Sequence, residues 1–221
     1  MSHDTWIHRI ARLGVRPLVE TPVAPNHITT IRLVAGLGAA AAFAVPEGGW
    51  KDLGAGLFVL SMVLDRADGE LARLSGKTSA WGHKYDLISD SICNALAFVG
   101  LGIGLVQGSL GLWAAALGCL AGLAVAAVLW LVIWAEELAG ERAAELGSFA
   151  GFDPDDAMLA VPIGVWLGIE QGLLIAAAIG APLFSIVMIL RCRAELTRRR
   201  QSPSQSAEPI GRDARDPGAN P

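Results

Sequence analysis

The sequence predicts an all-α polytopic membrane protein, with about six transmembrane helices behind an N-terminal interfacial helix. Three observations carry this expectation. Mean hydropathy is +0.48, and 53% hydrophobic residues stand against only 17% charged ones, where soluble domains carry about a quarter. From Ser91 to Ala135 there is no Asp, Glu, Lys or Arg, and from Ala157 to Leu190 the single charged residue is Glu170. A span needs about 20 apolar residues, so the first stretch accommodates two helices, broken at Gly108, Ser109 and Gly111. The second divides at Glu170, Gln171 and Gly172.

The elements follow in chain order. Residues 4–18 place Trp6, Ile10 and Leu13 at helical spacing with Arg9, Arg12 and Arg16 on another face. That pattern suits a helix lying in the headgroup region, although a surface helix of a soluble protein reads similarly. Met1 to Ala24 has no continuous apolar stretch of the kind a signal peptide carries, so none is expected. Residues 1–25 therefore form an interfacial helix and lead-in. After Pro22 and Pro25, segment one runs from Asn26 to about Val45, ended by Pro46, Gly48 and Gly49. Segment two covers about Asp52 to Leu74, segment three Tyr85 to Val106 and segment four Leu112 to Ala135. A polar connection, Glu136 to Asp156, leads to segments five and six, so that 26–195 forms one transmembrane domain. Residues 196–221 begin Arg-rich and pass into Ser, Pro, Gly and Asp, too polar to fold on their own.

Six segments put both termini on one side, and the basic residues agree. Arg9, Arg12 and Arg16, then Arg73, Lys77 and Lys84, then Arg191, Arg193, Arg198, Arg199 and Arg200 all fall on one face, against Lys51 on the other. Positive-inside reasoning makes the basic face cytoplasmic. Net charge is −4 with the cations concentrated at the two ends, which gives no basic groove and no nucleic-acid partner. Cys93, Cys119 and Cys192 show no CxxC spacing, so neither a disulfide framework nor a zinc site is expected. His3, His8, His27 and His83 likewise lack ligand spacing.

Chemistry concentrates between segments two and three. Asp65 and Asp68, three apart, share one face of a helix, with Gly69 and Ala72 continuing it; Asp86 and Asp90, four apart, share a face of the next. Antiparallel neighbours bring the pairs together as four carboxylates near the bilayer edge. Ionised carboxylates are costly there without a compensating cation. Hard oxygen ligands select Mg²⁺, Mn²⁺ or Ca²⁺, and four Asp residues suit two such ions, the arrangement that clamps attacking and leaving oxygens in phosphoryl transfer. Gly69, Ala72 and Gly82 leave room for a diphosphate to approach backbone, and Arg73 is placed to pair with a phosphate. Small residues equally serve close helix packing.

The run DRADGELARLSGKTSAWGHKYDLISD resembles the signature of the CDP-alcohol phosphatidyltransferases, DxxDGxxAR, eight residues, then GxxxDxxxD. Asp65, Asp68, Gly69, Ala72, Arg73, Gly82, Asp86 and Asp90 fill every fixed position, a coincidence on the order of 10⁻¹⁰ at average residue frequencies. Pro25, Asn26, Ile28, Thr29 and Arg32 resemble the start of that family's first helix. The resemblance implies a transferase of substituted phosphate groups in phospholipid biosynthesis, moving a phosphatidyl group from CDP-diacylglycerol to a small polar alcohol and releasing CMP. It implies Asp65, Asp68, Asp86 and Asp90 as ligands of two divalent cations, Mg²⁺ or Mn²⁺. Asp90 would also act as the catalytic base, and Gly69, Ala72, Arg73 and Gly82 would bind the CDP moiety. It further implies a homodimer in the cell (inner) membrane with its active site cytoplasmic.

The acceptor stays open. A phosphorylated alcohol would draw on Lys77, Lys84, Arg142, Arg191 or Arg193. The acidic 136–156 connection, with Trp130 and Trp134 nearby, would instead favour a cationic head, as in a CDP-aminoalcohol phosphotransferase acting on diacylglycerol. Intramembrane acids also mark cation transporters and channels, but those acids are expected at mid-span.

Overall fold

The computed structural model of the protein describes residues 14–139 and 157–201. The expected interfacial helix up to residue 13, the connection from 140 to 156 and the tail from 202 onward lie outside the described residues. Within them the regular structure is helical throughout, with no strand.

Among the described residues six α-helices are present: α1 Pro25–Phe43, α2 Trp50–Ser75, α3 Ala80–Gly104, α4 Leu112–Ala139, α5 Ala160–Trp166 and α6 Glu170–Gln201. A 3-10 turn, Arg16–Leu18, precedes them. Helix α1 opens at Pro25, whose fixed φ suits the first helical position; the Ala24 amide donates to His27 Nδ1 at 3.2 Å. Helix α2 ends at Gly76, which takes φ 66°, the left-handed cap that only glycine adopts without steric cost. Ser79 then starts α3, its hydroxyl accepting from the Gly82 amide at 2.9 Å. This cap moves the start of α3 to Ala80, five residues ahead of the expected Tyr85. Helix α4 continues through Ala139, past the expected end at Ala135.

In the final block α6 begins at Glu170, where the division was expected, and runs unbroken beyond Leu190 with Pro182 inside it; ahead of it, among the described residues, stand α5, of seven residues, and helical Ala157 and Met158. Among the described residues, two helices are long and apolar enough to span, Ala80–Gly104 and Glu170–Leu190, and Leu112–Val128 is a shorter apolar helix. Along α6, Ile175, Ile179, Leu183, Ile186 and Leu190 are all exposed at helical spacing, an apolar stripe of the size that marks a membrane or partner surface.

The order of packing decides where the site lies. Segments two and three were expected to be direct neighbours, but α2 and α3 scarcely touch: α1 packs against both and stands between them. From α3 the packing continues to α4, then α6, α5 and back to α2. Small residues allow the close approach. A side chain at Gly100 would collide with the Ala40 carbonyl, and one at Gly104 with the Phe43 carbonyl, both on α1. Gly102 instead meets Gly118 of α4, where an added Cβ would lie 2.9 Å from its Cα. These glycines of α3 thus serve contacts within one chain. The core beneath them joins Ala39, Phe43, Phe58, Ala97, Phe98 and Leu101, with the Phe43 and Phe58 rings 6.4 Å apart. At the other end Val15, Ile28, Ala67 and Leu71 form a second cluster that seats the lead-in on α1 and α2. Lys77 ties the α2–α3 connection to the same lead-in, donating to the Thr21 carbonyl at 3.1 Å.

Candidate active site

Asp65 and Asp68 occupy the last three turns of α2, and Asp86 and Asp90 the first three turns of α3. Carboxylate oxygens of Asp65, Asp68 and Asp86 lie within 4.8 Å of one another. Asp68 is almost fully buried, while Asp65, Asp86 and Asp90 are partly open, with side-chain exposures of 26%, 36% and 28%. The donors are hard oxygens at the spacing a divalent cation spans, and the set fits Mg²⁺ or Mn²⁺. Asp90 stands apart from the trio. Its Oδ2 accepts from Asn94 Nδ2 at 2.9 Å, one helical turn along α3, and Asn94 is buried. This contact fixes the carboxylate's orientation.

Two residues of α1 complete the arrangement. Thr29, buried, donates its hydroxyl to Asp68 Oδ2 at 2.7 Å. Arg32 is 1% exposed and extends into the centre of the carboxylates. Its Nη1 donates to Asp65 Oδ1 and, at 2.5 Å, to Asp86 Oδ1, while Nη2 reaches the Asp86 carbonyl at 3.2 Å and Asp90 Oδ1 at 3.4 Å. A fully buried guanidinium persists only when its donors are matched this way. Because α1 separates α2 from α3, the acids do not face each other across an empty gap; they converge on a residue of the intervening helix. Sequence reasoning noted Arg32 as part of the first helix's start and gave it no place in the site. The available signal was that Arg32 is the only Asp, Glu, Lys or Arg in α1, and a lone charge in an apolar helix is by default functional.

The residues expected at the CDP moiety are spread more widely. Gly69 faces open space, the nearest atom to an added Cβ being Arg73 Nη2 at 3.8 Å. Ala72 is half-buried on the same face. Arg73 is 62% exposed and pairs with Glu70 at 3.2 Å. Gly82 differs in kind: a Cβ there would come within 3.0 Å of both Asn26 Oδ1 and Ser79 Oγ, so its small size is needed by the start of α1 and the α3 cap. His83 is exposed at the same end. A small cleft opens beside the carboxylates, lined among others by Arg32, Asp65, Arg66, Asp90, Asn94 and Met158.

Residues 22–192 match the sequence model of the CDP-alcohol phosphatidyltransferase family, a span that contains the whole carboxylate site. The chain belongs to the CDP-alcohol phosphatidyltransferase family. Its members are transferases that move phospholipid headgroup units from a CDP-alcohol to an alcohol acceptor. They typically depend on divalent cations, and the Asp65, Asp68 and Asp86 group is able to hold one. The apolar helices and the family together associate this chain with a membrane. No curated protein matches the chain significantly.

Proposed function

We propose that this protein transfers a phosphatidyl group from CDP-diacylglycerol to the hydroxyl of a small polar alcohol and releases CMP. The observation that carries the reading is the convergence of Asp65, Asp68 and Asp86 within 4.8 Å beside an Asp90 oriented by Asn94 and lining an open cleft. Asp65, Asp68 and Asp86 are the metal ligands, with Asp90 contributing from its own side, and the cations are two Mg²⁺ or Mn²⁺ ions. Bound there, they would neutralise the diphosphate and the departing CMP. Gly69 and Ala72 leave the donor's diphosphate room along α2, and Arg73 and Gly82 flank it.

Asp90 accepts the proton of the acceptor hydroxyl. The oxygen then bonds to the β-phosphorus of the donor as the bond from that phosphorus to the CMP oxygen breaks, so that CMP leaves with the electron pair. Asn94 keeps the Asp90 carboxylate turned toward the cleft, within reach of an alcohol there. The surrounding apolar side chains of Phe58, Met62 and Met158 limit water, which would otherwise compete as acceptor.

Residues 26–195 form the catalytic domain in the inner membrane, with the site and both termini cytoplasmic, and the protein works as a homodimer. The grouping of acids at one end of α2 and α3, rather than at mid-helix, favours group transfer over cation transport. The test is CMP release by purified protein supplied with CDP-diacylglycerol, Mg²⁺ or Mn²⁺ and a panel of neutral, phosphorylated and cationic alcohols. Release that requires one acceptor is expected. Cation flux into liposomes without CMP chemistry would overturn the assignment.

A further inference from the structure

We propose that Arg32 is a built-in counter-cation of this site: it occupies carboxylate oxygens that a divalent ion needs, and its guanidinium is displaced from them when the ion binds. The inference rests on the metal-binding reading above and adds to it a competitor within the protein. Arg32 Nη1 takes one oxygen each from Asp65 and Asp86, two of the three carboxylates in the trio. The third, Asp68, is held by Thr29 instead. Mg²⁺ binds oxygen at about 2.0–2.1 Å, so on the Oδ1 side of Asp65 and Asp86 it competes with the N–H donors for lone pairs. Two cations at such separation also repel strongly in a medium poorer in water than bulk solvent.

Arg32 lines the cleft beside Asp65 and Asp90, and in this proposal its long side chain turns toward that side. Its backbone stays in place, because the Arg32 carbonyl accepts from buried Ser61 of α2 at 3.2 Å. The device has a physical purpose. Converging acids in a half-buried site would repel one another before any metal arrived; an arginine from the helix between them lets the bundle assemble metal-free. Metal affinity is lowered in exchange.

The experiment uses the full chain in detergent micelles, stripped of metal with a chelator that is then removed, and reads Mn²⁺ binding from the spectrum of unbound Mn²⁺. Arg32→Gln is expected to bind Mn²⁺ at least tenfold more tightly than wild type, since a competing charge is gone. Arg32→Lys, which keeps the charge, is expected to stay within about threefold of wild type. Equal or weaker binding by Arg32→Gln would overturn the proposal. If Arg32→Gln cannot be held folded without metal, Arg32→Lys decides: a tenfold loss there would mean that the guanidinium fork organises the ligands, and the competition would be refuted. Failure of the underlying reading looks different. Wild type that binds no Mn²⁺, or Asp65→Asn and Asp86→Asn that bind it as wild type does, removes the metal site itself.

Discussion

Thr29→Val exposes the logic of the site in one change of atom. Valine keeps the volume and branching of threonine but removes the hydroxyl that donates to Asp68 at 2.7 Å. Asp68 is only 3% exposed, so water cannot replace the lost donor, and its neighbours on the other sides include the acids Asp65 and Asp86. A hydrogen bond to a charged group contributes about 1.5–3 kcal/mol, and a buried acceptor left without it bears the full cost. The metal-free variant should therefore unfold about 1.5–3 kcal/mol more easily, read as equilibrium unfolding in mixed micelles with added SDS. Saturating Mg²⁺ or Mn²⁺ should narrow the difference, because the cation supplies Asp68 with a new partner. Thr29→Ser, which retains the hydroxyl, should lie much nearer wild type. Thr29→Val unfolding with wild-type stability in the absence of metal would show that the contact with Asp68 contributes nothing and would refute the reasoning.

Other outcomes follow from the same geometry. Asp90→Asn should fold and still bind Mn²⁺ through the Asp65, Asp68 and Asp86 trio, while CMP release falls about 10²–10⁴-fold for want of a base; turnover at the wild-type rate would end the assignment. Treatment with EDTA should stop CMP release and added Mg²⁺ or Mn²⁺ restore it, whereas Asp86→Asn should need a higher metal concentration for half-maximal rate. Restoration by metal at equal concentrations in Asp86→Asn and wild type would exclude Asp86 as a ligand. Gly100→Val forces a side chain against the Ala40 carbonyl, and overpacking of this kind costs about 1–3 kcal/mol; a lowered melting midpoint is expected. An unchanged midpoint would mean that α1 and α3 separate at little cost.

The chain's linear pattern determines much of this protein. Spacing three and four places Asp65 with Asp68, and Asp86 with Asp90, on single helical faces, because the helical period relates residues close in sequence without any tertiary information. The short connection through Gly76 and Ser79 then puts both pairs at one end of the bundle. Charge-free stretches mark the apolar helices and Glu170 marks the start of α6, but they do not show that α6 runs on beyond Leu190, since hydropathy reports burial or lipid contact and not where a helix stops. What only the tertiary structure decided is what stands between the two pairs. The expected direct contact of α2 and α3 gives way to α1, admitted by Gly100 and Gly104 on one side and Gly54 against Phe43 on the other. That insertion brings Thr29 to Asp68 and Arg32 to Asp65, Asp86 and Asp90, and sets Asp90 with Asn94 apart from the trio. Contacts between residues more than thirty positions apart depend on which helix faces fit together, and that is settled by packing of small side chains against backbone, a property no local spacing encodes.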